Sequence, residues 1–197
     1  MGGSIQWLIG RDDWAYSVLF ARGITPEELA LRMGGVPDSV LSPITGMEAW
    51  DLATDFDTDD EHVVRVGVSG GWSFALKYGF PTGVDRLAEI ARDSVEVVHL
   101  DPQPDHPPKQ FAYARDGVEV CSFGIGEEAW RWGRLPDFLL NELVQNGVLF
   151  PDGTNARPDN EPFRDAERDT LTLLEARFGL SLPCDVEERQ LPAFVLR

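Results

Sequence analysis

The chain has 197 residues, 43% of them hydrophobic, enough for one good-sized domain that buries a core without disulfides or metals. Acidic residues number 34 against 17 basic, a formal net charge of −17. That balance excludes bare nucleic acid and anionic membrane as partners, because both need a basic footprint, and it would steer a basic protein inward.

The first element reads as a strand. Trp14, Tyr16, Val18 and Phe20 alternate with Ala15, Ser17, Leu19 and Ala21, bulky on one face and small on the other. A helix follows: Thr25 is a natural N-cap, Pro26 fits the first turn, Glu28 completes a capping box, and Gly34 and Gly35 can end it. Residues 36–61 are less regular, with a short helical turn expected over 36–41 and a short strand or turn over 47–52. An exposed acidic loop follows, carrying Asp55, Asp57, Asp59, Asp60 and Glu61. Residues 63–68 and 72–78 form a hairpin about Ser69-Gly70-Gly71, and the second strand again puts Trp72, Phe74, Leu76 and Tyr78 on one face. Val84, Leu87, Ala88 and Ala91 have helical spacing.

A strand over 94–100 leads into a proline-rich loop at 101–108. The segments 110–115 and 118–123 flank Asp116-Gly117, a strong hairpin signal. Helices are expected over 136–146 and 162–178, stopped by Gly147 and Gly179, with a linker or long loop between them. The last residues, 182–197, suit either an edge strand or an arm across the body.

The predicted fold class is α+β: a largely antiparallel sheet with helices packed on it and a helical C-terminal part. The segments 14–33 and 72–91 match one another, with Trp14 and Trp72, and likewise Leu29 and Leu87, standing 58 residues apart. This predicts a duplicated strand–helix unit and two pseudo-symmetric lobes sharing one sheet. Residues 1–150 read as the α+β domain, and 151–197 as a linker, helix and C-terminal arm packed on it.

Several stretches carry a family resemblance: Trp7-Leu8-Ile9-Gly10 with Asp13-Trp14-Ala15-Tyr16, Gly23-Ile24-Thr25-Pro26-Glu27-Glu28, Gly70-Gly71-Trp72, and the run from Tyr113 to Phe123 through Asp116-Gly117 and Cys121. In these, roughly residues 5–150 resemble the domain-of-unknown-function family 6461. The resemblance implies an actinobacterial source and brings no catalytic residues with it. Arginine taking almost every basic position, with only Lys77 and Lys109 as lysines, points to the same source.

Motifs with a possible chemistry fail on context. Gly67-Val-Ser-Gly-Gly71 spells a nucleophile elbow, yet a strand follows Ser69 where the elbow needs a helix. Gly124-Ile-Gly-Glu-Glu-Ala129 spells a dinucleotide fingerprint, yet Glu127 and Glu128 would repel a pyrophosphate. The aspartates from Asp55 open like a calcium loop that lacks its glycine and its closing glutamate. Cys121 and Cys184 have no metal-binding spacing and are expected as free thiols, Cys121 buried. No cofactor or metal is expected. The N-terminus lacks a signal pattern and no apolar run is long enough to span a membrane, so a cytoplasmic protein is expected.

These features favour a non-enzymatic acidic binding protein that engages a basic protein partner, an immunity protein or toxin antagonist being the most concrete form. Its contact residues would be Asp55, Asp57, Asp59, Asp60 and Glu61 together with Trp130 and Trp132, which stand between glycines. The alternative is a small-ligand-binding protein or hydrolase with a site near residues 99–106, where His99, Asp101, Asp105 and His106 would converge in a cleft between the two lobes.

Overall fold

The computed structural model describes residues 3–10, 14–56, 61–79, 86–104, 106–158 and 160–197. At its centre lie the two strands that alternation predicts, paired with each other. Strand β1 (Ser17–Arg22) runs antiparallel to β4 (Trp72–Tyr78), with Phe20 opposite Phe74, and on its other side antiparallel to β5 (Glu96–Asp101), with Leu19 opposite His99. The β3 strand (His62–Ser69) forms the expected hairpin with β4. Gly67 sits opposite Phe74 there, and a Cβ on it would come within 2.6 Å of the Phe74 ring. Beyond β5 come β6 (Gln110–Arg115), β7 (Val118–Gly124) and the two-residue edge strand β8 (Arg131–Trp132).

The other edge departs from the sequence reading. Residues 36–41 are not helical but belong to β2 (Gly35–Ile44), and residues 47–52 lie in a helix, α3 (Gly46–Thr54). A capping box starts that helix: Thr45 Oγ1 accepts from the Glu48 amide, and the Glu48 carboxylate accepts from the Thr45 amide. The box expected at Thr25 is only half made, because the Glu28 carboxylate accepts from Arg32 instead. The C-terminal segment is neither an edge strand nor an arm. It forms β9 (Leu191–Leu196), inserted between β2 and β3.

One nine-stranded antiparallel sheet results, in the order β2-β9-β3-β4-β1-β5-β6-β7-β8. The two matching units lie side by side in one sheet; residues 80–85 of the second, Val84 among them, lie outside the described residues. Their strands, β1 and β4, hydrogen-bond to each other in mid-sheet, and their helices, α2 (Pro26–Arg32) and α4 (Leu87–Ile90), lie on the same face.

The two faces differ as the alternation requires. The bulky face, with Val18, Phe20, Phe74, Leu76, Phe111 and Tyr113, is the main core. Helices α1 (Trp7–Gly10), α3, α5 (Leu140–Gln145) and α6 (Phe163–Phe178) contribute buried residues to it. The C-terminal part is therefore integral: Leu171, Leu174, Phe178 and Leu182 are buried there, each worth roughly 1.5–3 kcal/mol of apolar burial. A 3-10 turn (Pro136–Leu139) precedes α5 where one continuous helix is expected. The small face packs Leu19, Ala21, Val66, Ala75 and Val97 under α2 and α4.

Two buried ionic networks fix the periphery. Arg65, fully buried on β3, donates to the carbonyls of Ile44, Val186 and Arg189, to the Tyr78 hydroxyl at 2.6 Å and to Glu187 at 3.2 Å. Tyr78 in turn donates to Glu187 at 2.6 Å, and burial pushes its phenol pKa up. At the opposite end, buried Glu128 accepts from Arg157 at 2.5 Å, from the Gly126 amide at 2.7 Å and from the Thr170 hydroxyl. This ties the 151–162 segment to α6 and to the loop after β7.

Candidate functional site: a polar hollow on the small face of the sheet

One cross-strand row shows where the small face changes character. Val66, Ala75 and Leu19 are opposite one another across β3, β4 and β1, and the row continues through His99, Ala112, Ser122 and Trp132 on β5, β6, β7 and β8. The first three are buried apolar residues of the smaller core beneath α2 and α4. From His99 onward the row is polar or small up to Trp132 at the edge, and Leu87 of α4 lines this part of the face.

Ala112 makes the depression. With strands ~4.8 Å apart, His99 and Ser122 stand roughly 10 Å apart at their Cα atoms, and only a methyl group rises between them. A hollow of about 110 Å³ results. His99, Ala112, Ser122 and Trp132 line it from the row, Asp101 and Gln110 from the next pair along β5 and β6, and Glu119 from β7. Glu119 and Ser122 are three residues apart and would point to opposite faces of a regular strand. A bulge at Val120, where Tyr113 pairs with Cys121 but Ala114 pairs with Glu119, brings both to the same face. Ser122 Oγ then donates to Glu119 at 2.6 Å. Gly133 allows the chain after β8 to fold back tightly, so that Arg134 and Leu135 donate to the Glu119 and Val120 carbonyls. A Cβ on that glycine would lie 2.7 Å from the Val120 oxygen.

The electrostatics are one-sided. Asp101, only 1% exposed, accepts from the Gln103 amide at 3.2 Å and from its side chain at 2.8 Å. His99 is 5% exposed, and its Nε2 has no hydrogen-bond partner. Burial pushes the imidazole down to about 4; Asp101 opposes that shift and Lys77 adds to it. At neutral pH the ring is therefore uncharged, one nitrogen a donor and the other an acceptor. Among the described residues no basic side chain lines the hollow.

A second hollow, about 610 Å³, lies between the end of α1, the proline-rich loop and the start of α6. Its polar groups are engaged: Lys109 with Glu167 at 2.6 Å, and Arg164 with the carbonyls of Ile9 and Gly10.

The residues picked out in the sequence fall in three places. His99 and Asp101 come together in the smaller hollow, while His106 is exposed and does not line it; Asp105 lies outside the described residues. Trp132 is on the hollow's rim, 45% exposed, and Trp130, 78% exposed, precedes the same edge strand. Asp55 is an exposed C-cap of α3, Glu61 accepts from Arg197 at 2.7 Å, and Asp57, Asp59 and Asp60 lie outside the described residues. Five strands separate β3, next to Glu61, from β8, a distance of roughly 30 Å, so the acidic loop and the tryptophans do not form one surface. Ser69 donates to Ser181 at a glycine hairpin, and Glu128 of the fingerprint-like loop is buried in its ion pair. Among the described residues no group of three or more His, Cys, Asp or Glu is placed to hold a metal ion. Gln110 and Ser122 are signalled only by the polar parity of β6 and β7 opposite Phe111, Tyr113 and Phe123; Glu119 shares the parity of Phe123 and reaches the hollow through the bulge.

Residues 6–182 match the model of the family of unknown function DUF6461, and the chain belongs to that family. The match extends past residue 150 and takes in the whole hollow and α6. No curated protein and no solved structure matches the chain.

Proposed function

We propose that this member of the family is a non-enzymatic binding protein that engages a basic protein partner, an immunity protein or toxin antagonist being its concrete form. One observation carries the reading: two exposed tryptophans, Trp132 in the edge strand β8 and Trp130 just before it, on a chain with net charge −17. Exposed indoles supply large contact area at low entropic cost, and the negative field speeds encounter with a cationic surface. Asp55 and Glu61 act at a distance in this scheme, as part of the field. A cytoplasmic site of action accords with two free cysteines, and an actinobacterial source with the dominance of arginine. Duplication of a strand–helix unit accords with the side-by-side packing of β1 with β4 and with α2 and α4 sharing a face.

The test is capture from the native host with the wild-type chain and with a Trp130→Ala/Trp132→Ala double variant, at low and high ionic strength. The expected result is a basic protein held by the wild type at low salt, weakened at high salt and lost with the double variant. Equal capture by both chains, or no basic protein at either salt, overturns the reading.

A second reading, a small-ligand site or hydrolase, draws on His99, Asp101 and Ser122 lining one hollow. Ligand binding is the better supported half. In hydrolysis Ser122 would pass its proton to His99, but its hydroxyl is bound to Glu119 and Ala112 lies between the two.

A further inference from the structure

We propose that the hollow between His99 and Trp132 is a binding site for an organic nitrogen cation with N–H donors, an alkylammonium or guanidinium head group. The proposal deepens the basic-partner reading and rests on it for one source of the cation, a lysine or arginine side chain; the other source is a free amine or guanidine.

Three observations define the ligand. The first is size. About 110 Å³ is the liquid share of three or four water molecules and well below the roughly 300–1,000 Å³ of pockets for drug-sized ligands, so the site takes a head group. The second is polarity. Asp101 and Glu119 present carboxylates, Gln110 an amide oxygen and Ser122 a hydroxyl, with no basic side chain among the described lining residues. Lys77 acts on His99 electrostatically without lining the hollow. An anion would meet two carboxylates, and an apolar group would leave them desolvated without a counter-charge. A cation with several N–H groups satisfies them, and charge-assisted bonds of this kind are the strong ones. The third is the unmet need of His99. Its Nε2, buried and unpartnered, belongs to a class that folded proteins rarely leave unsatisfied. The His99 side chain itself lines the hollow beside these acceptors. The half-exposed Trp132 indole at the mouth adds a π-face for the same charge.

The experiment is an NMR titration of the full chain, following the His99 imidazole, which His99→Gln assigns among the three histidines. The probes are methylguanidinium, n-butylammonium, tetramethylammonium as a cation without N–H donors, and the peptide acetyl-Gly-Arg-Gly-amide. A saturable His99 shift is expected with the first two and not with tetramethylammonium. Glu119→Gln, which keeps the side-chain shape, is expected to weaken it about tenfold or more, and Ala112→Leu to abolish it. A peptide response at least equal to that of methylguanidinium assigns the source to a partner side chain; a peptide without effect beside an active methylguanidinium assigns it to a free base. No saturable shift, an equal response to tetramethylammonium, or full response in Ala112→Leu with a native amide spectrum overturns the proposal. Salt-sensitive capture of a basic protein without any His99 response removes the pocket and leaves the partner reading standing. A His99 response without a captured partner does the reverse.

Discussion

Ala112 stands between His99 and Ser122 in a single cross-strand row, and its methyl group is the floor of the hollow on the small face of the sheet. If that floor is open space, a larger side chain fits above it. Ala112→Val is expected to leave stability unchanged or raise it by up to about 1 kcal/mol, since a β-branched residue suits a strand and covers more apolar surface. It should also abolish any response of His99 to methylguanidinium. Chemical denaturation checks the first part; a destabilisation well beyond about 1 kcal/mol would show that the position is already filled.

His99 makes stability depend on pH. Its folded value is about 4, against about 6.5 for an unperturbed histidine. Above pH ~6.5 neither state binds the proton and nothing is lost. As pH falls from ~6.5 towards ~4 the unfolded chain takes it up and the folded chain does not, so stability falls, on the order of 3 kcal/mol across the window. Burial sets that lower limit, with Asp101 raising it and Lys77 lowering it further. Urea unfolding between pH 7 and 4.5 should show a steeper loss for the wild type than for His99→Gln. Parallel losses in the two chains would mean that His99 is not held neutral.

How much of this was legible in the sequence depended on range. The β3–β4 and β6–β7 hairpins, α2 and α6 follow from alternation, caps and turn residues that lie within each segment. β2 contains Pro37 and Pro43 and reads as broken; it is a strand because β9, from the far end of the chain, pairs with it. The capping box of α3 is spelled by Thr45 and Glu48, a signal as local as that of α2. Of the hollow, period two already puts His99 and Asp101 on one face of β5. Glu119 could not be added, because its facing depends on a bulge at Val120 that no glycine marks.

Arg65 carries a charge with no exposure and five hydrogen-bond contacts, four of them to the end of β2 at Ile44 and to the segment 186–189 before β9. Truncation leaves Tyr78, Glu187 and three carbonyls without their donor. Arg65→Ala is expected to cost about 3–5 kcal/mol, the usual penalty for breaking a buried ion pair from one side. Arg65→Lys should recover little, because a single ammonium cannot reproduce the planar fork. Denaturant midpoints measure both, and a loss below about 1 kcal/mol for the alanine variant would contradict the network's role.

The two free thiols differ in reactivity by environment. Cys184 is exposed. Cys121 is buried on the bulky face, donates to the Pro136 carbonyl at 3.3 Å, and burial pushes its thiol up to about 12. The thiolate is the reacting form, so a thiol reagent should titrate one cysteine in the native protein at neutral pH and both in denaturant. Cys184→Ser should then show none until it unfolds; prompt native labelling of that variant would contradict the burial of Cys121.

Glu128 and Arg157 form the most enclosed ion pair at the β7–β8 end of the sheet, with Thr170 bridging it to α6. Arg157 also donates to the carbonyls of Gly126 and Ala166, so one guanidinium joins the loop after β7, the 151–162 segment and the first turns of α6. Glu128→Gln keeps the shape and removes the charge, leaving Arg157 largely desolvated with, among the described residues, Glu161 at 3.3 Å as counter-charge. The consequence should be local. The Phe150 and Ala156 amides, which donate to Thr154 and Val148, are expected to exchange hydrogen faster than in the wild type, while those of β1 and β4 follow only the loss in global stability. That loss should be about 3 kcal/mol or more, because a buried charge is left under-paired. Uniform acceleration across the whole sheet would instead make the pair part of the global core, and unchanged exchange at Phe150 and Ala156 would remove its role in holding the segment.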